Sequence, residues 1–160
     1  MQGFCLGIIR ISRFHGFFQV LLPFIPFGQG VSVTPLQLAR AISAIANGGV
    51  MPTPHLLREV PEHPELEPEL PTRRVISPEA AAKTSRMLEA VVTEGTGEGA
   101  RVAGYSVAGK TGTAQKARED GRGYAAGKYV GSFIGYLPAE DPQVLICVTI
   151  DEPKGAIYGG

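Results

Sequence analysis

The stretch GYSVAGKTGT, residues 104–113, can be read in two ways, and each reading leads to a different fold. Letter for letter it fits a phosphate loop: Gly104, four residues, Gly109, Lys110, Thr111. Such a loop needs a buried strand before it. It also needs a helix starting at the Lys-Thr pair, so that amide groups and the helix dipole face the phosphates. The residues before Gly104, EGTGEGARVA (94–103), are no hydrophobic strand, and Tyr-Ser-Val-Ala at the loop positions suits a strand better. The residues after Thr111, GTAQKAREDG (112–121), carry no apolar helical stripe and are too short for a crossover helix. One feature favours nucleotide binding: VLICVTID (144–151) ends in Asp151, as a magnesium-binding strand would. That strand, however, is reached through a hairpin turn. The stretch 104–113 therefore reads as a strand.

Working outward, the apolar period around this stretch is 2, and three strands are predicted: Tyr105 to Ala114, Tyr129 to Leu137 and Val144 to Ile150. A polar loop, QKAREDGRGYAAGK, joins the first two, and Pro138-Ala139-Glu140-Asp141-Pro142 turns between the last two. Connections without a helix favour an antiparallel meander. Upstream the period is 3.6. Thr34-Pro35-Leu36-Gln37 is a helix start with a capping box, followed by an apolar face of Leu38, Ala41, Ile42 and Ile45 and a stop at Asn47-Gly48-Gly49. Ser77-Pro78-Glu79 starts a second helix, with Ala80, Thr84, Met87, Leu88 and Val91 as its inner stripe. The fold class is α+β: a largely antiparallel sheet with packed helices.

Composition narrows the function. With 160 residues, 44% hydrophobic and a formal net charge of +0, the chain suits one globular domain or part of one, and no basic surface argues for nucleic acid. Cys5 and Cys147 make neither a metal spacing nor a disulfide framework, and Cys147, inside VLICVTI, is expected to be a buried small hydrophobe. No metal ligand and no cofactor are expected, and His15, His55 and His63 receive no role. The glutamate- and proline-rich PEHPELEPELP (61–71) reads as a solvated loop. Residues 4 to 27 are rich in Phe, Leu and Ile, but Arg10, Arg13, Pro23 and Pro26 interrupt them, which argues against a membrane-spanning helix.

Five segments occur in order: FGQGVSVTPLQLARAISAIANGG (27–49), SPEAAAKTSRMLEAVVTEGTGEGA (77–100), VAGKTGTAQK (107–116), GKYVGSFIGYLPAEDP (127–142) and DEPKGAIYGG (151–160). Together they resemble the later part of the transpeptidase domain of class B penicillin-binding proteins, the division-type peptidoglycan D,D-transpeptidase most of all. The resemblance covers residues 27–160 and leaves 1–26 as an unmatched hydrophobic segment. It implies a partial penicillin-binding, serine-transpeptidase-like fold with a substrate-binding strand of Lys110, Thr111, Gly112 and Thr113. In that reading the Thr111 and Thr113 hydroxyls bind the substrate carboxylate, and Lys110 supplies positive charge. Gly112 lets substrate approach the backbone, and the Thr113 N–H is an oxyanion donor. The FGQG segment is expected to be a turn, and Tyr129, Ser132 and Tyr136 are expected to pack.

The implied ligands are a peptidoglycan stem peptide or a β-lactam, with other cell-wall or division proteins as further partners. The implied place is the cytoplasmic membrane, with the domain on its outer face. The family's nucleophile lies in Ser-x-x-Lys. Here Ser12, Ser32, Ser43, Ser77, Ser85, Ser106 and Ser132 are followed three residues on by His, Pro, Ala, Ala, Leu, Gly and Gly, and Ser-x-Asn is absent too. No catalytic residue is assigned. The chain is expected to be part of a transpeptidase, inactive alone, with apolar faces left uncovered. A non-catalytic remnant that binds stem peptides or cell-wall proteins is the alternative, ahead of a nucleotide-binding module.

Overall fold

Threonine followed by proline opens the first helix. In the computed structural model, which describes residues 32–57, 60–63, 66–118 and 123–155, α1 spans Pro35–Ala46. Gln37 N–H donates to Thr34 Oγ1 over 3.2 Å, and Thr34 N–H donates to Gln37 Oε1 over 2.8 Å. The reciprocal pair satisfies two amides that have no partner within the helix. After Asn47 the chain reverses through Gly48 and Gly49, both at positive φ (60° and 95°), a region open to glycine at no steric cost. It then enters β1 (Val50–Met51), which pairs antiparallel with β2 (Arg73–Arg74). The Arg74 guanidinium donates to Gly48 O over 2.8 Å and ties this corner.

The chain divides into two units, Met1–Ser32 and Val33–Gly160, and apart from Ser32 all described residues belong to the second. The readings of the Phe-rich segment, Cys5, His15, FGQG and the last five residues fall outside the described residues. Among the described residues, no helix is long and apolar enough to cross a membrane.

Helix α2 (Pro78–Glu94) starts where the sequence places it, with Ala80 N–H donating to Ser77 Oγ over 3.1 Å. Its buried stripe is not the predicted one. Ala81 and Val92 are buried, whereas Ala80 is exposed and Met87 is 67% exposed. Thr84, Leu88 and Val91 are only half-buried. The helix is turned by about one residue, roughly 100°, because it meets the sheet through small side chains. Ala80-Ala81-Ala82 fits either phase by hydrophobicity, and the contact of Ser85 with the sheet selects the one seen. In α1, likewise, Ala44 is buried and the predicted Ala41 is exposed.

The main sheet holds β3 (Ala108–Ala117), β4 (Tyr124–Leu137) and β5 (Val144–Asp151), antiparallel and in that order. The fold class is α+β, as the sequence implies. Four bounds differ: β3 runs Ala108–Ala117 instead of Tyr105 to Ala114, β4 begins at Tyr124 instead of Tyr129, so part of the predicted polar loop is strand, and β5 reaches Asp151. Gln115 pairs with Tyr129 and Ala117 with Tyr124, with a register shift between them. Backbone pairing needs no apolar side chains, so a polar hairpin extends the ladder into solvent.

Register and alternation give the sheet two faces. On one lie Ala108, Ile134 and Tyr136, all buried; α2 packs on β3, and α1 meets β4 and β5. On the other lie Thr111 and Thr113, Gly131 and Phe133, and Ile146, Val148 and Ile150. The β5 residues Val144, Ile146, Val148 and Ile150 are 51%, 49%, 47% and 55% exposed, an apolar stripe left open among the described residues. Cys147 on the opposite face is half-buried, less enclosed than expected. The β4–β5 turn is held by Ser106, whose Oγ donates to the Glu140 carboxylate and accepts from Ala139 N–H over 3.0 Å. That hydroxyl holds the Glu140 carboxyl below its usual range.

Candidate substrate-binding strand

Lys110, Thr111, Gly112 and Thr113 sit together in β3, an edge strand of the main sheet among the described residues. An edge strand presents backbone groups along one side, and an extended peptide can add there. Lys110 and Thr113 are exposed, and Thr111 and Gly112 are half-buried. Gly112 pairs with Ser132 across the ladder, and a Cβ added to it would stand 2.6 Å from Ser132 Oγ. A side chain here would therefore force the Ser132 hydroxyl into another rotamer, apart from any ligand.

The Lys110 ammonium folds along the strand. Its Nζ donates to Thr111 O over 2.8 Å and approaches Thr111 Oγ1 at 3.5 Å. The same Thr111 hydroxyl shares a 2.8 Å hydrogen bond with the hydroxyl of Thr96, from the loop after α2. One ammonium and two hydroxyls thus converge at the strand edge. Such a donor set suits an oxyanion, because a carboxylate only accepts and gains from a charged donor. Sequence reasoning missed Thr96. Its only local signal is a threonine set between two glycines in EGTGEG, and nothing local links it to a residue fifteen positions on.

The phosphate-loop reading fails on geometry. Lys110 and Thr111 lie inside a strand that continues to Ala117, so no helix starts at Lys110. Gly104 lies in a turn bridged by Val102 and Tyr105, with φ 82°. Asp151, the acid weighed for magnesium, instead accepts from Lys116 Nζ over 2.8 Å. Glu152 joins the group, 2.9 Å from Lys116 and 3.3 Å from Lys128. Lys116 and then Lys128 hold the Glu152 carboxyl below its usual value, while Asp151 and then Glu152 hold the Lys116 ammonium above its own. Tyr129, Ser132 and Tyr136 lie on β4, and Tyr136 is fully buried under α2. Among the described residues, no group of three His, Cys, Asp or Glu comes together as a metal site would need.

Comparison with known proteins bears on the family and the fold. Residues 18–160 match the penicillin binding protein transpeptidase domain. Stage V sporulation protein D of Bacillus subtilis is 45% identical over 140 residues, covering 84% of this chain and 21% of that protein. The probable peptidoglycan D,D-transpeptidase PbpC of Pseudomonas aeruginosa is 41% identical over 135 residues, covering 84% of this chain and 22% of that protein. Among solved structures, penicillin-binding protein 3 of Mycobacterium tuberculosis complexed with ampicillin superposes with a TM-score of 0.72 at 36% identity, covering 81% of this chain and 31% of that one. The chain thus spans about a fifth of the length of the curated relatives it matches. By sequence and by fold, this chain belongs to the penicillin-binding protein transpeptidase family.

Proposed function

We propose that residues Lys110 to Thr113 form one wall of the peptide groove of a peptidoglycan D,D-transpeptidase and bind the terminal carboxylate of a stem peptide or of a β-lactam. The observation that supports this reading most is the convergence of Lys110 and the Thr111 hydroxyl on an edge strand. A peptide laid along that edge gains main-chain hydrogen bonds, and its carboxylate meets the ammonium and hydroxyls. Thr113 N–H is the candidate oxyanion donor. By the same reading the domain works on the outer face of the cytoplasmic membrane, among other cell-wall and division proteins. The acyl-transfer step needs an activated serine. No serine in these 160 residues is followed three positions on by lysine, so we propose that this chain alone binds without acylating.

Titration of the chain with N-acetyl-D-alanyl-D-alanine and with its C-terminal amide tests the groove. The acid is expected to bind more tightly, and Lys110→Ala to cost it about tenfold or more, as for a hydrogen bond from a charged donor. Equal binding of acid and amide would overturn the carboxylate assignment. Incubation with labelled penicillin is expected to leave no hydroxylamine-sensitive adduct, and a saturable one would overturn the claim that acylation needs a residue outside this chain.

A further inference from the structure

We infer that Thr96 is a positioning residue that sets the Thr111 hydroxyl as a donor toward the groove. A hydroxyl carries one hydrogen and two acceptor sites. Thr111 Oγ1 lies 2.8 Å from Thr96 Oγ1 and 3.5 Å from Lys110 Nζ, and the ammonium can only donate. With Thr96 donating as well, both acceptor sites of Thr111 are filled and its own hydrogen is left for a third partner. That partner has to be an acceptor, and beside Lys110 it is an anion. Hydrogen bonds in such a chain polarise one another, so a Thr96–Thr111–carboxylate relay makes Thr111 a better donor than an isolated threonine.

The loop that presents Thr96 is held to α2 on both sides. Gly97 N–H donates to Val91 O over 2.9 Å, and Gly97 is buried. A Cβ on Gly95 would lie 2.9 Å from Val91 O, and one on Gly97 would lie 3.1 Å from the same atom. The glycine at 95 lets the chain double back closely on the last turn of the helix, and a side chain at 97 would crowd the same carbonyl. Further on, Arg101 Nε donates to Val92 O over 3.1 Å and its Nη2 donates to Thr93 O, which satisfies carbonyls at the helix end. A single 3-10 turn, Glu98–Ala100, fills the gap, and Glu98 pairs with Arg101 at 3.2 Å. Since α2 itself packs on β3, the helix end, the loop and the strand together fix where the Thr96 hydroxyl stands.

The inference deepens the carboxylate-groove reading and rests on it, but one of its readouts does not. In threonine-labelled protein, three-bond couplings report the χ1 rotamer of Thr111. One rotamer is expected in the wild type and in Thr96→Ser, and averaged couplings in Thr96→Val, which keeps the shape and removes the hydroxyl. The amide spectrum of each variant shows that the fold is retained. In parallel, Thr96→Val is expected to weaken binding of N-acetyl-D-alanyl-D-alanine about three- to tenfold, the range for one hydrogen bond. Thr96→Ser is expected to restore it, and the peptide amide to show no difference between variants. Unchanged couplings in Thr96→Val, or undiminished binding of the acid, would overturn the inference. Should the wild type bind neither peptide, the groove reading falls, and the couplings still decide whether Thr96 positions Thr111.

Discussion

Tyr136 is 0% exposed, and its hydroxyl donates to Ser85 Oγ over 2.8 Å, joining the central strand to α2. Burial holds its phenol above the usual value, with the Ser85 hydrogen bond acting in the opposite direction. Tyr136→Phe is expected to lower stability by about 1 kcal/mol, the net worth of one neutral hydrogen bond, whereas Tyr136→Ala should cost on the order of 3–5 kcal/mol through the cavity it leaves. Urea denaturation of the two variants checks the ordering, and equal costs would mean that the ring packs loosely. Packing was the role its apolar strand position suggested. The Ser85 partner was not readable, because 51 residues separate the two. The same limit hid Thr96: Lys110-Thr111-Gly112-Thr113 is legible as four consecutive letters, while the hydroxyl that meets Thr111 comes from another element.

At the scale of elements, the ends of β3, β4 and β5 are joined by Lys116, Asp151, Glu152 and Lys128. The folded pKa of Glu152 is lowered below 4.5, so its contribution is complete above that value and fades as pH falls through the folded pKa. The folded pKa of Lys116 is raised above 10.5, so its contribution is complete below that value and fades as pH rises through the folded pKa. Asp151, Glu152 and Lys128 are solvent-exposed and Lys116 only half-buried, so the effect is small and weakens with salt. Lys116→Met is expected to flatten both the acid and the alkaline slope of the urea midpoint. Slopes that match the wild type would show that the group adds nothing to stability. The ion group joins residues distant in sequence. The helix starts, by contrast, were written locally: Thr34 with Gln37, and Ser77 with Pro78, cap as spelled. The phase of α2 was not, since three successive alanines suit more than one face.

For the whole molecule, the open side of β5 matters most. Val144, Ile146, Val148 and Ile150 form a continuous apolar stripe on a strand that is, among the described residues, at the sheet edge, a pattern that favours association. The purified chain is expected to self-associate with rising concentration, and Ile146→Lys combined with Val148→Lys to return it to single chains. Sedimentation velocity decides this, and a wild type that stays monomeric at high concentration would show that the stripe is harmless. By itself the sequence determined the helix starts, the strand character of residues 108–113 and the antiparallel meander, because caps, period and short turns act over a few neighbouring residues. Only the tertiary structure decided which helix face is buried, how far the polar hairpin extends and which hydroxyl meets Thr111. Those outcomes depend on close contacts between residues far apart in the chain, and no local pattern records them.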